Sequence, residues 1–308
     1  MGHQEANLQF STTSSQLTIY PQLITPKLAE QLLLTNHKKN RRIKPQVVES
    51  YRRQMEKGLW RTNTGEGIKI SESNLLINGQ HRLKAIIAYG KPVEMLIFAG
   101  IPEESMTCID DGIKRSLTDA MMINGKTLPN QLAINSALSC LVTLYNCIET
   151  DRHYSAVTGA RRNSTSEMIQ FFDALPNFAE TAAEFFTKFK YTKIGRIMPQ
   201  GLSLAMYYLL NDLDDELMFS IFKSYETGIP MDDLRDESPI YHACERARRA
   251  RELKIRIMAW DHISTFLWVY EACKHKKKAK GLPRIPWDFS GSNDTLKHAR
   301  KKLMAIKL

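Results

Sequence analysis

Four consecutive residues, Gly79, Gln80, His81 and Arg82, have the side chains and the order needed to hold an anion. Leu75, Leu76 and Ile77 ahead of them read as a short apolar strand, and Asn78-Gly79 is a turn pair that tolerates positive φ. Leu83, Ile86 and Ile87 behind them recur at helical spacing, which makes Gln80, His81 and Arg82 the opening turn of a helix. Amides of a first helical turn have no intrahelical acceptor, the macrodipole adds partial positive charge there, and arginine supplies a planar fork that matches phosphate oxygens. Phosphate is the expected guest. The competing expectation is purely structural: Asn78-Gly79 is a hairpin turn, and His81 and Arg82 sit on a solvated helix start.

A second group with reactive side chains lies farther on. Asp110, Asp111, Lys114 and Arg115 come after a strand signal from Pro92 to Phe98 and a short helix expected from Pro102. A carboxylate there suits Mg²⁺ beside phosphate oxygens or serves as a base, while Lys114 and Arg115 would neutralise developing negative charge. Glu56 is a further candidate for base or metal ligand. Alternatively an aspartate caps the next helix and the basic pair faces water. The helix that carries Glu56 is expected to start at Pro45, a first-turn residue, and to stop at Gly58.

The order of these pieces, a helix ending in glycine, a strand, a GQHR turn, a second helix and a strand, resembles the N-terminal domain of the ParB/sulfiredoxin superfamily over roughly residues 40 to 124. The NGQHR turn, followed by the Asp-x-Gly-x-x-Arg element that starts at Asp110, is similar to a phage and mobile-element variety of that superfamily. The resemblance implies a nucleotide at the turn. In sulfiredoxins a Gly-Cys-His-Arg turn uses its His and Arg on ATP phosphates, and in ParB proteins a Gly-Glu-Arg-Arg turn contributes to CTP binding. Gln80 stands where sulfiredoxins carry the reactive cysteine, so reduction of a sulfinic acid is not expected, and the choice between ATP and CTP stays open. The resemblance also places Ser50 and Gln54, one helical turn apart, on the face that lines the nucleotide pocket, and Arg41 and Arg42 as a basic pair ahead of that helix. Ordinary polar surface positions and solvated arginines are the alternative for these four.

The chain has 308 residues, 43% hydrophobic and 25% charged, ordinary for a folded protein of two cores. Its formal charge is +10, and the excess is clustered. Arg246, Arg248, Arg249, Arg251, Lys254 and Arg256 are expected on one helix, Lys276, Lys277 and Lys278 belong to a run after another, and Lys297, Arg300, Lys301 and Lys302 mark a third. Such stripes attract a nucleic acid backbone through counterion release, with DNA the expected partner; a solvated helical face is the alternative. Five scattered cysteines, Cys108, Cys140, Cys147, Cys244 and Cys273, form no CxxC pair and read as free thiols rather than a disulfide framework or a metal site. Neither a secretory leader nor an apolar run long enough to span a bilayer is evident, so a cytoplasmic protein without a membrane partner is expected.

From about Leu128 onward the apolar spacing is almost wholly helical, without a second sheet, an internal repeat or a helix-turn-helix signature. The expected fold is α+β: a loose segment over 1–15, a small ParB/sulfiredoxin-like mixed α/β nucleotide-binding domain over 16–125, and a basic all-α domain over 126–308. The expected function is a nucleotide-dependent DNA-binding protein of a phage or mobile element, able to act as a homodimer. A phosphoryl-transfer enzyme (NTPase, kinase or nuclease) using Mg²⁺, or a protein inhibitor of a host factor, are the alternatives.

Overall fold

The structure is a computed structural model that describes residues 17–62, 64–107, 116–154, 157, 163–189, 194, 196–232, 234–282 and 294–306. The loose segment expected over 1–15 lies outside them. The chain divides into two compact units, Met1–Ile113 and Lys114–Leu308. Among the described residues there are twelve α-helices and one four-stranded sheet, so the fold is α+β and mostly helical.

In the first unit the order is β1 (Thr18–Ile24), α1 (Pro26–Leu34), α2 (Pro45–Glu56), β2 (Ile68–Ser71), β3 (Leu76–Asn78), α3 (Gln80–Tyr89) and β4 (Val93–Ile101), followed by a 3₁₀ turn at Glu103–Thr107. The sheet runs β1-β4-β2-β3, with β1 and β3 antiparallel to their neighbours and β2 parallel to β4. Helix α3 packs against α1 and α2, and Ile24, Ile68, Leu76, Leu83, Ile86 and Ile97 close the core beneath it. Pro45 opens α2 and Glu103–Thr107 follows Pro102, as the residue types require. Three elements have no counterpart in the sequence reading. Strand β1 is one: every residue from Thr18 to Leu23 is exposed, so no in-out alternation marks it, and Pro21 interrupts it. Its seven-residue antiparallel ladder to β4 makes it a strand. The four-residue β2 is too short for a periodic signal, whereas α1 has one that the sequence reading passed over: Thr25 as N-cap, Pro26 in the first turn, and Leu28, Ala29, Leu32 and Leu33 on one face.

In the second unit the helices are α4 (Leu117–Ile123), α5 (Gln131–Thr150), α6 (Thr165–Ala174), α7 (Phe178–Lys188), α8 (Gln200–Leu210), α9 (Asp215–Thr227), α10 (Pro239–Glu252), α11 (Ala259–Lys274) and α12 (Asp294–Met304). Capping boxes at Ser116/Asp119 and Ser164/Glu167 start α4 and α6. Every residue of α8 from Gly201 to Leu210 is buried, because α5, α7 and α12 pack around it. Phe185, Phe189, Tyr207, Phe222 and Phe266 join α7, α8, α9 and α11 into one aromatic cluster. One sequence expectation needs correction. Helix α5 is long and apolar enough to cross a membrane, with a mean hydropathy of 1.3, but 67% of that stretch is buried within the fold.

Candidate functional site

Gly79 begins α3 with φ of +109°, a left-handed conformation that side chains disfavour. A Cβ there would also lie 2.6 Å from Ile68 Cδ1 and 3.2 Å from Ile68 Cα, so a side chain would have to displace Ile68 as well as strain the backbone. Gln80 and His81 then reach across to the loop between α1 and α2. The Gln80 side-chain amide donates to Arg41 O and accepts from Asn36 Nδ2, and His81 Nε2 accepts from the Lys44 backbone N–H at 3.0 Å. Asn40 Nδ2 ties the same loop down through Leu76 O at 2.8 Å and Asn36 Oδ1 at 2.7 Å. These bonds strap residues 36–44 over the start of α3. The strap and the helix start enclose a pocket of about 210 Å³, lined by Lys39, Asn40, Arg41, Asn78, Gln80 and His81 together with Ile77 and Met106. Two cations, three amide side chains, an imidazole and no carboxylate give the pocket a lining suited to an anion.

Arg82 is absent from that lining, which corrects its expected role. It is 7% exposed, and its guanidinium donates to Gly67 O at 2.9 Å, to Asn78 Oδ1 at 3.3 Å and to Glu66 in an ion pair. One helical residue farther along, its side chain projects to a different side of α3 from the pocket, and it braces the chain that leads into β2. Ser50 and Gln54 do share a face of α2, but Gln54 Nε2 donates to Ser50 O at 3.3 Å and neither lines the pocket. Arg42 is exposed and also stands outside it. Glu56 pairs with Arg52 at 3.0 Å on the surface of α2, as an i,i+4 helical pair. Asp110, Asp111, Lys114 and Arg115 lie outside the described residues. Lys39, Asn40, Ile77, Asn78 and Met106 are pocket residues that the sequence reading did not assign to the site; for Lys39 and Asn40 the signal was the polar run Asn36–Arg42 ahead of Pro45.

The second unit carries a larger cleft of about 1250 Å³ between α10, α11 and the chain that follows each. Arg246, Arg249, Arg256 and Lys280 line it, against two carboxylates, Glu245 and Asp261. Arg246 is anchored by Thr265 Oγ1 at 2.5 Å, whereas Arg249 keeps 74% of its side chain exposed. Of the other basic candidates, Arg248 is held between Glu245 and Glu252 at 2.8 Å each, and its bond to Glu245 keeps that carboxyl below the usual range. Arg251 donates to Arg196 O at 3.0 Å, and Lys278 pairs with Glu237 at 2.6 Å. Lys276 and Lys277 are exposed in the turn that ends α11. Helix α10 stops at Glu252, so Lys254 and Arg256 leave the helix that the charge run suggested. Arg256 reaches the cleft from the extended segment beyond it. Under the cleft, burial and the nearby Arg246 push His262 down to about 4, leaving it neutral at physiological pH.

Among the described residues no cluster of three or more His, Cys, Asp or Glu side chains is arranged to hold a metal ion. Cys140, Cys147 and Cys244 are buried and Cys273 half-buried; burial pushes the Cys140 thiol up to about 12, so these are packing groups rather than nucleophiles. Cys108 lies outside the described residues. Comparison with protein-family models, curated proteins and solved structures finds no match to the chain.

Proposed function

We propose that the protein binds DNA in a nucleotide-dependent manner, as a phage or mobile-element relative of ParB and sulfiredoxin proteins would. The observation that carries this reading is the basic cleft: four cations face one hollow, and only two carboxylates answer them. A polyanion entering it would release its counterions, giving affinity that falls steeply with salt. The strap pocket supports the nucleotide half of the proposal. Its 210 Å³ is below the usual size of a whole small-molecule site, about 300 Å³ and upward, so it suits the phosphate end of a nucleotide with the base outside. Lys39, Arg41, Gln80 and His81 are the residues assigned to those phosphates, with ATP or CTP as the candidate ligands. Phosphoryl transfer draws no support from the described residues, because no carboxylate lines the pocket.

The test is DNA binding by the full chain, followed by anisotropy across a salt series, with and without ATP or CTP and Mg²⁺. The triple variant Arg249→Ala, Arg256→Ala, Lys280→Ala should lower the slope of log affinity against log salt by roughly 2–3, since each phosphate contact contributes about 0.9 for duplex DNA. An unchanged slope would remove the cleft from the account. Lys39→Ala with Arg41→Ala should abolish any nucleotide effect on DNA affinity while leaving the salt slope as it was.

A further inference from the structure

The cleft is not lined by charge alone. Tyr241 stands on its wall, 36% exposed, with its ring set edge-on to His242 at 5.5 Å between centroids. Leu253 and Ile255, 69% and 60% exposed, line the same hollow beside Arg249, Arg256 and Lys280. Single exposed aliphatic residues are normal on any protein, but an aromatic ring and two large aliphatic side chains gathered inside a concave basic site are not. A sugar-phosphate backbone has no partner to offer them. The faces of unpaired bases do, because they stack on aromatic and apolar surface while the cations follow the phosphates.

Duplex nucleic acid fits this arrangement poorly. Its base faces are covered by their own neighbours, so a duplex offers the cleft phosphates and groove edges but no open base face for Tyr241, Leu253 and Ile255. Building on the proposed role of the cleft, we infer that its occupant is a single-stranded nucleic acid. The phosphates lie along Arg249, Arg256 and Lys280, and the bases pack against Tyr241, Leu253 and Ile255.

Four labelled probes of about twelve nucleotides, a length within the usual range of single-strand sites, separate the outcomes. They are an oligothymidylate, an oligouridylate, a mixed-sequence duplex and an abasic strand that keeps every sugar and phosphate. At least one base-bearing single strand should bind the full chain roughly ten-fold tighter than the duplex or the abasic strand, as expected for one or two stacked bases. Which of the two binds better separates DNA from RNA. Tyr241→Ala should erase most of that margin and Tyr241→Phe should keep it. A duplex or abasic strand that binds as tightly as both base-bearing single strands overturns the inference while leaving the basic cleft intact as a polyanion site. Failure of all four probes to bind, both with and without ATP or CTP and Mg²⁺, overturns the inference and the proposed function together.

Discussion

The guanidinium of Arg82 and the imidazole of His81 are neighbours in the chain with opposite fates. His81 borders the strap pocket, while Arg82 is committed to Gly67 O, Asn78 Oδ1 and Glu66. Replacing Arg82 by methionine keeps the length of the side chain and leaves the Gly67 carbonyl without its donor. The expected loss is about 2–3 kcal/mol of stability, read as a lower urea midpoint, with no specific loss of nucleotide affinity in the folded protein. A variant of unchanged midpoint that no longer responds to nucleotide would return Arg82 to the pocket. His262 offers a second test at this level. Its folded-state value near 4 lies below the ordinary 6.5, so the unfolded chain takes up a proton first as the pH falls. Stability from this residue is therefore complete above about pH 6.5 and is lost toward pH 4, by at most about 3 kcal/mol. The melting temperature of His262→Gln should fall less steeply over that window than that of the parent chain.

Helices explain which parts of the fold could be read in advance. Asp214 N-caps α9 and Gly228 ends it, so both ends of Asp215–Thr227 are marked by residue type. Helix α2 is likewise marked by Pro45, and α3 by the glycines at both ends. Strand β1 carries no such marks, because an exposed edge strand is defined by its partner and not by its own pattern. Helix α8 shows a different kind of tertiary control. Gly201 sits where α8 meets α5, and a Cβ there would approach Ala133 O to 2.8 Å and press still closer on the Ser136 side chain. Gly201→Ala should raise helix propensity and yet destabilise the protein by roughly 1–3 kcal/mol, because the overpacking term exceeds the propensity gain. Gly201→Ala with Ser136→Gly should recover part of that loss in thermal denaturation, since the closest obstruction is removed; no recovery would place the strain elsewhere.

For the whole molecule, the location of charge matters more than its sum. The net +10 includes cations already paired on helix surfaces, among them Arg52, Arg248 and Lys278. Removing three exposed cations of α12, Lys297, Arg300 and Lys301, subtracts the same charge as removing Arg249, Arg256 and Lys280. The α12 variant should keep the salt slope of nucleic acid binding within about one unit of the parent value, because only cations in contact with phosphates release counterions. Equal losses in the two variants would mean that binding is diffuse and the cleft has no special standing. From the order of residues alone came the caps, the glycine turn at Gly79, the helical run of the second unit and the basic clusters, because each depends on neighbours within a few positions along the chain. Tertiary structure alone decided that Arg82 turns inward while Lys39 and Asn40 border a pocket, and that Arg256 and Lys280 meet across one cleft. Those outcomes depend on contacts between segments far apart in sequence, and periodicity, capping and charge runs hold no record of them.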